Sequence, residues 1–324
     1  MKPVAVKIIK SLGLPVTALL VITACSKNPE SPSSQEQFGS AADRAAIEAS
    51  IQQDDLFNSQ GLDDDGEQSP DYDSGVSKVA EQINTIKFGR RAPYKFESVE
   101  VVFDSDTTAT ATITHSLNGK FFILAKDTSD SNVVGTLFSK DMQNTILRKA
   151  KLRKVRDTGN DRRDWRVIAV SGAVASSPNP TITISELTVE NSDGTTLTIT
   201  DPLSYFMTRE TGLPEFSRGD SVKVFVKLTN TNEFPPAPGE TALLRYGMDH
   251  QFHRARKRLN DEGIYPDAVA GDGTYSGLYR IHHPRWGHRL HHAGVDIIDN
   301  GTIYDDVAPY DAVAWSLPYM VKFF

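Results

Sequence analysis

After Pro93 the apolar residues of several runs recur at every second position, and that period confines those runs to β-strands. In FESVEVVF the alternate set is Val99, Val101 and Phe103; in TATATIT it is Ala109, Ala111 and Ile113; in SVKVFVKL it is Val222, Val224, Val226 and Leu228. Successive side chains on a strand point to opposite faces, so each run has one face for a core and one for water. A second constraint is covalent. Cys25 is the only cysteine in 324 residues, which leaves no intramolecular disulfide, and stability must come from apolar burial.

The amino-terminal residues MKPVAVKIIK carry three lysines and no acid, and the apolar run LGLPVTALLVITA leads directly into Cys25. A charged start and a short apolar stretch read as a secretory leader, too brief for a spanning helix. The junction Ile22-Thr23-Ala24-Cys25 resembles the bacterial lipobox. That resemblance implies cleavage before Cys25, a thioether-linked diacylglycerol on its sulfur and acylation of the new amino terminus. Acyl anchoring is firm, since each buried methylene contributes roughly 0.8 kcal/mol. Ser26 rather than an aspartate follows, which by the same resemblance implies sorting to the outer membrane. Loss of residues 1–24 removes three lysines and moves the formal charge from −7 to −10. An acidic mature chain argues against nucleic-acid partners, which need a net basic footprint.

Residues 25–40 are polar and rich in serine and proline, and read as a flexible tether. In 41–57 the residues Ala45, Ile47, Ile51 and Leu56 fall near helical spacing. A second helix is predicted over SGVSKVAEQINTIKFG, with Ser74 as its cap. The period-two runs then begin. Asn118-Gly119 is a type I′ hairpin signal, Thr136 to Met142 reads as a short helical turn, and ILRKAKLRKV and WRVIAVSG read as strands. SSPNP (176–180) marks a break, after which seven strand signals follow with turns at 191–194 and 218–220. The expectation is therefore two domains, residues 41–175 of α+β type and residues 181–324 all β.

The helical pair, the Asn118-Gly119 hairpin, Phe138 with Met142, and Trp165-Arg166-Val167 on a late strand resemble the nuclear-transport-factor-two-like (SnoaL-like, cystatin-like) cone folds. That likeness implies an α+β cone-type domain over 41–174 or so. The second half resembles a bacterial immunoglobulin-like β-sandwich. Its stretch NDEGIYPDAVAGDGTYSG resembles an acidic glycine loop of secreted modules of that kind. The loop supplies Asp261, Glu262, Asp267, Asp272 and Gly273, with Tyr275 and Tyr279 on the strand beyond. Calcium takes six to eight oxygens, and Asp261, Asp267 and Asp272 are the candidate ligands. The alternative is a turn in which aspartates bond their own backbone and glycines supply positive φ.

Other clusters carry weaker signals. GLDDDGEQSPDYD (61–73) superficially matches an EF-hand loop but lacks its twelfth-position glutamate. Seven of the eight histidines lie between His250 and His292, interleaved with Arg285 and Arg289, and read as an exposed loop rather than a metal site. Nine basic residues from Arg148 to Arg166 form a basic hairpin, read as a solvated face or as an anion site. His115 reads as a surface histidine, and no nucleophile elbow or phosphate loop is present. The functional expectation is a non-catalytic lipoprotein of the cell envelope, membrane-attached through Cys25, that binds or scaffolds an envelope protein or polysaccharide. Its rivals are an enzyme or small-ligand carrier using the cone of the first domain, and a calcium-dependent glycan-binding sandwich with Trp286 as a stacking residue.

Overall fold

A computed structural model describes residues 38–53, 83, 85–125, 135–158, 164–208, 211–232, 234, 239–247, 254–281 and 290–322. In chain order these form α1 (Ala41–Gln53), β1 (Thr85–Arg91), β2 (Tyr94–Ser105), β3 (Thr108–Ala125), β4 (Thr136–Lys154) and β5 (Trp165–Ser176). There follow β6 (Ile182–Glu190), β7 (Thr196–Ile199), β8 (Phe206–Met207), β9 (Glu215–Ser217), β10 (Ser221–Asn230), β11 (Glu240–Gly247), β12 (Arg254–Leu259) and β13 (Thr274–Arg280). The chain closes with β14 (Leu290–Asp299), α2 (Asn300–Tyr304) and β15 (Ala312–Lys322). Among the described residues, strand accounts for 64% and helix for 8%.

The large sheet runs β1-β3-β4-β5-β15-β14-β11-β12, with β2 also on β3, and the small sheet runs β13-β10-β6-β7. The large sheet curls until its first strand meets its later ones. Phe88 of β1 and Leu117 and Phe121 of β3 share a core with Leu243, Ile298 and Ala314 of β11, β14 and β15. The other face of those same three strands, with Leu244, Val295, Ile297 and Trp315, packs on Val222, Val224 and Val226 of β10. The pleat therefore sends alternate residues of β14 and β15 into two different cores, and both strands are buried almost throughout. This is why AVAWSLPYMV lacks the polar alternation of the other runs. A third core lies under α1, where Ala46, Ile47 and Ile51 pack on Val101, Ile113, Leu152 and Trp165.

Several expectations are corrected. The first half is not an α+β cone and the second is not a separate immunoglobulin-like sandwich: the molecule is a mostly β, curled antiparallel sheet. β15 pairs directly with β5, Val313 opposite Ser176, so strands from both sides of 176–180 lie in one sheet, and Phe38–Phe324 is one compact unit. Thr136 to Met142 is the first part of β4, not a helical turn. The end of the expected second helix, from Thr85, is β1; its earlier part, with Ser74, lies outside the described residues, as do residues 1–37. On α1, Ala46 rather than Ala45 is buried.

Asn118-Gly119 is not a hairpin turn. β3 runs straight through it, paired with β4 from Thr108↔Arg153 to Ala125↔Thr136. On its other edge β2 ends at Tyr94↔Leu117 and β1 is met at Arg91↔Lys120. Gly119 sits at that changeover, where a Cβ would stand 2.1 Å from the Arg91 carbonyl oxygen. The glycine serves close backbone approach, not a turn.

Candidate functional site

The acidic loop joins β12 to β13. β13 is pinned to β10 from Ser221↔Arg280 to Lys227↔Thr274, which fixes the outgoing end of the loop. Gly273 has φ of 79° and would bring a Cβ within 3.1 Å of the Leu228 carbonyl oxygen; glycine is required there. The loop brings Asp261, Asp267 and Asp272 together, with one oxygen of each within 4.8 Å of the others. Asp267 is buried.

Each carboxylate also accepts from the backbone. Asp261 takes Gly271 N–H at 2.7 Å, Asp272 N–H at 3.3 Å and Gly273 N–H at 2.9 Å. Asp267 takes Gly263 N–H at 2.5 Å and Val269 N–H at 3.3 Å, and Asp272 takes Thr274 N–H at 2.8 Å. Both sequence readings of this loop thus have their geometry here: Asx-type bonding and convergence of three acids. Glu262 is exposed and stands outside the convergent group. Tyr275 and Tyr279 are buried, Tyr275 donating to Glu240 at 2.7 Å.

A second feature was not found from sequence. A cleft of about 580 Å³ opens where β3 and β4 face the β5–β6 connection and the loop from α2 to β15. Its carboxylates are Asp141, Asp299 and Asp311, its amides Asn118, Gln143, Asn179 and Asn232, and Tyr310, Met142, Pro178 and Pro309 supply apolar surface. Asp311 accepts from Ser177 Oγ at 2.8 Å, Thr181 N–H at 2.9 Å and Thr181 Oγ at 2.5 Å. Asp299 caps α2 through Gly301 N–H at 2.8 Å and accepts from Asn230 and Asn232 at 3.0 Å each. Burial, and then the nearby Asp311 charge, push the Asp299 carboxyl up against those hydrogen bonds. The two residues draw together segments more than fifty positions apart, a spacing that no local pattern reveals.

A third charged group lies between the layers. Asp296 takes a two-pronged contact from Arg90, at 2.7 and 3.0 Å, and another from Arg245. Burial pushes this carboxyl up, but Arg245 and then Arg90 overturn that and hold it at about 2. Arg90 also lies 5.5 Å from the Tyr310 ring.

The remaining candidates are dispersed. His115 is half-buried rather than on the surface, edge-on to Phe96 at 5.5 Å; burial, with Arg148 adding, pushes its imidazole down to about 4. Of the histidine tract, His291 and His292 are buried in β14, with His291 stacked on Tyr319 at 5.3 Å. The basic hairpin splits across the sheet: Arg148 faces inward and is buried, while Lys151, Arg153 and Arg166 are exposed. Lys154 is paired with Asp43 at 3.2 Å and Asp157 at 3.3 Å. Cys25, the 61–73 loop and Trp286 lie outside the described residues. Comparison with protein-family models and with curated protein sequences finds no match for the chain.

Proposed function

We propose that the protein is a non-catalytic binding or scaffold module of the bacterial cell envelope, held at the membrane through acylated Cys25. The observation that carries the non-catalytic part is where the buried carboxylates go. Asp296, Asp299 and Asp311 are buried acids, and each is taken up by the protein's own donors across layer and loop junctions. Such acids build a rigid body. The space beneath α1, where a carrier would hold its ligand, is filled by Ile47, Ile113, Leu152 and Trp165, all at most 1% exposed. No helix among the described residues is long and apolar enough to cross a membrane, and attachment in this reading rests on Cys25.

The anchor is tested by detergent phase partitioning of the wild type and Cys25→Ser. The wild type is expected in the detergent phase and the variant as an uncleaved or soluble precursor. A variant that still partitions into detergent overturns the reading.

The convergence of Asp261, Asp267 and Asp272 favours a second reading, in which the module is locked by calcium. A cation that binds only the folded state adds about 2.7 kcal/mol at a hundred times its dissociation constant. The expected result is a thermal midpoint raised by millimolar calcium, lowered again by chelator, and indifferent to both in Asp272→Asn. A wild-type midpoint that ignores calcium leaves the loop as a turn held by its own aspartates.

A further inference from the structure

We infer that the cleft between β4, the β5–β6 connection and the α2–β15 loop is a binding site for a neutral, hydroxyl-rich ligand of the saccharide class. The inference rests on the reading of the protein as a binding module and names what it binds. A volume of about 580 Å³ falls inside the range of about 300–1,000 Å³ usual for ligand pockets.

The chemistry follows from which groups are already in use. Asp299 and Asp311 each accept three hydrogen bonds from the protein. They therefore fix the walls and leave little for a cation to coordinate. Asp141 is ion-paired with Lys120 at 2.6 Å. The described lining residues include no arginine, lysine or histidine, and the one cation beside them, Lys120, is already taken by Asp141, so an anionic ligand meets carboxylates and no uncommitted counter-charge. What is left to recognise a ligand is amide. Gln143 and Asn179 line the cleft, are exposed, and make no side-chain hydrogen bond among the described residues. Each offers two N–H donors and a carbonyl acceptor. Paired donors and acceptors match vicinal hydroxyls, which both give and take a hydrogen bond. Pro178 and Pro309, both exposed, present C–H surface in the same cleft, as the apolar face of a pyranose requires.

The walls are preorganised, which lowers the ordering cost of binding. Asp311 ties the Ser177–Thr181 connection to the start of β15, and β4 is held in register along its whole length. Gln143 and Asn179 therefore stand on braced backbone.

The test is isothermal titration of the full chain in detergent micelles with maltotriose, cellotriose and chitotriose. Spermidine and glucose 6-phosphate serve as cationic and anionic probes. Saturable binding of at least one neutral trisaccharide is expected, about tenfold weaker in Gln143→Ala/Asn179→Ala, the size expected for two or so lost neutral hydrogen bonds. Both side chains are exposed, so the unfolding midpoint should not move; if the double variant does not fold, each single change carries a loss of about threefold. No saturable heat with any trisaccharide, unchanged affinity in the variants, or preference for spermidine or the phosphate overturns the inference. Sugar binding by a chain that fails to partition into detergent removes the anchor and keeps the site. An anchored chain that ignores every trisaccharide removes the site and keeps the anchor.

Discussion

Asp296 is the residue on which the layers most depend. A carboxylate this deep is stable only because two guanidiniums face it, one from β1 and one from β11. Removing one partner of such a group is costly, about 3–5 kcal/mol, so Asp296→Asn should lower the unfolding free energy by that order in chemical denaturation. The pH dependence has a definite sign. The folded carboxyl is held near 2, below its unfolded value, so its contribution is present above about pH 4 and is lost as pH falls through 2. That contribution is on the order of 2 kcal/mol, and the variant's stability should lose this part of the acid slope. An unaltered slope between pH 4 and 2 would assign the acid sensitivity elsewhere. Nothing in the sequence marks Asp296, because Arg90 stands 206 positions away. Asp261, Asp267 and Asp272 were legible because their spacing is local and glycine-punctuated. The carboxylates of the loop bond its own backbone, so a local pattern suffices to bring them together.

Among the elements, α1 is the one most exposed to a single change. Ser40 and Asp43 cap each other, Ser40 N–H to Asp43 at 3.0 Å and Asp43 N–H to Ser40 Oγ at 3.0 Å, the reciprocal arrangement that satisfies a helix start. Asp43 then holds the helix to β5 by accepting from Trp165 Nε1 at 2.8 Å and to β4 through Lys154 at 3.2 Å. Burial works against this carboxylate, yet the Trp165, Ser40 and Lys154 bonds together hold it well below its ordinary range. Asp43→Ala should therefore cost about 1–3 kcal/mol from the lost cap and the indole N–H left without its acceptor. Trp165 fluorescence should report loosening of the helix before the sheet unfolds; an unshifted emission maximum would mean that apolar packing alone seats α1. Strands were the most readable elements: strand signals marked β6, β10, β13 and β15, and in β10 Val222, Val224, Val226 and Leu228 are buried as a period of two requires. Where a local signal failed, a neighbouring strand outweighed it. Thr136 to Met142 has helical spacing, yet its register opposite Gly119 to Ala125 makes it strand.

At the scale of the whole molecule, the sequence division at SSPNP and the packing disagree, and the reason is the middle layer. Composition changes at 176–180 because the helix and mixed signals lie before it, but contacts do not respect composition. β11, β14 and β15 come from the second half of the chain and supply one wall of the core that holds Phe88, Phe121 and Ile146 from the first. Separating the halves would expose Leu243, Ile298, Ala314 and the Asp296 cluster on one side, and would strip β5 of its pairing with β15 on the other. A fragment of residues 181–322 would then keep one core and present an apolar face on which Asp296 retains Arg245 but has lost Arg90. Such a face is costly in both its apolar and its charged parts. Limited proteolysis should accordingly give no long-lived fragment ending near 176 or beginning near 181, and thermal unfolding of the intact chain should be a single transition with equal calorimetric and van't Hoff enthalpies. The two pieces produced separately should be insoluble or unfolded, and produced together they should reassemble through β5 and β15. Two resolved transitions, or a 181–322 fragment with the dispersed amide spectrum of a folded β protein, would show instead that β10 and its neighbours suffice to hold the middle layer.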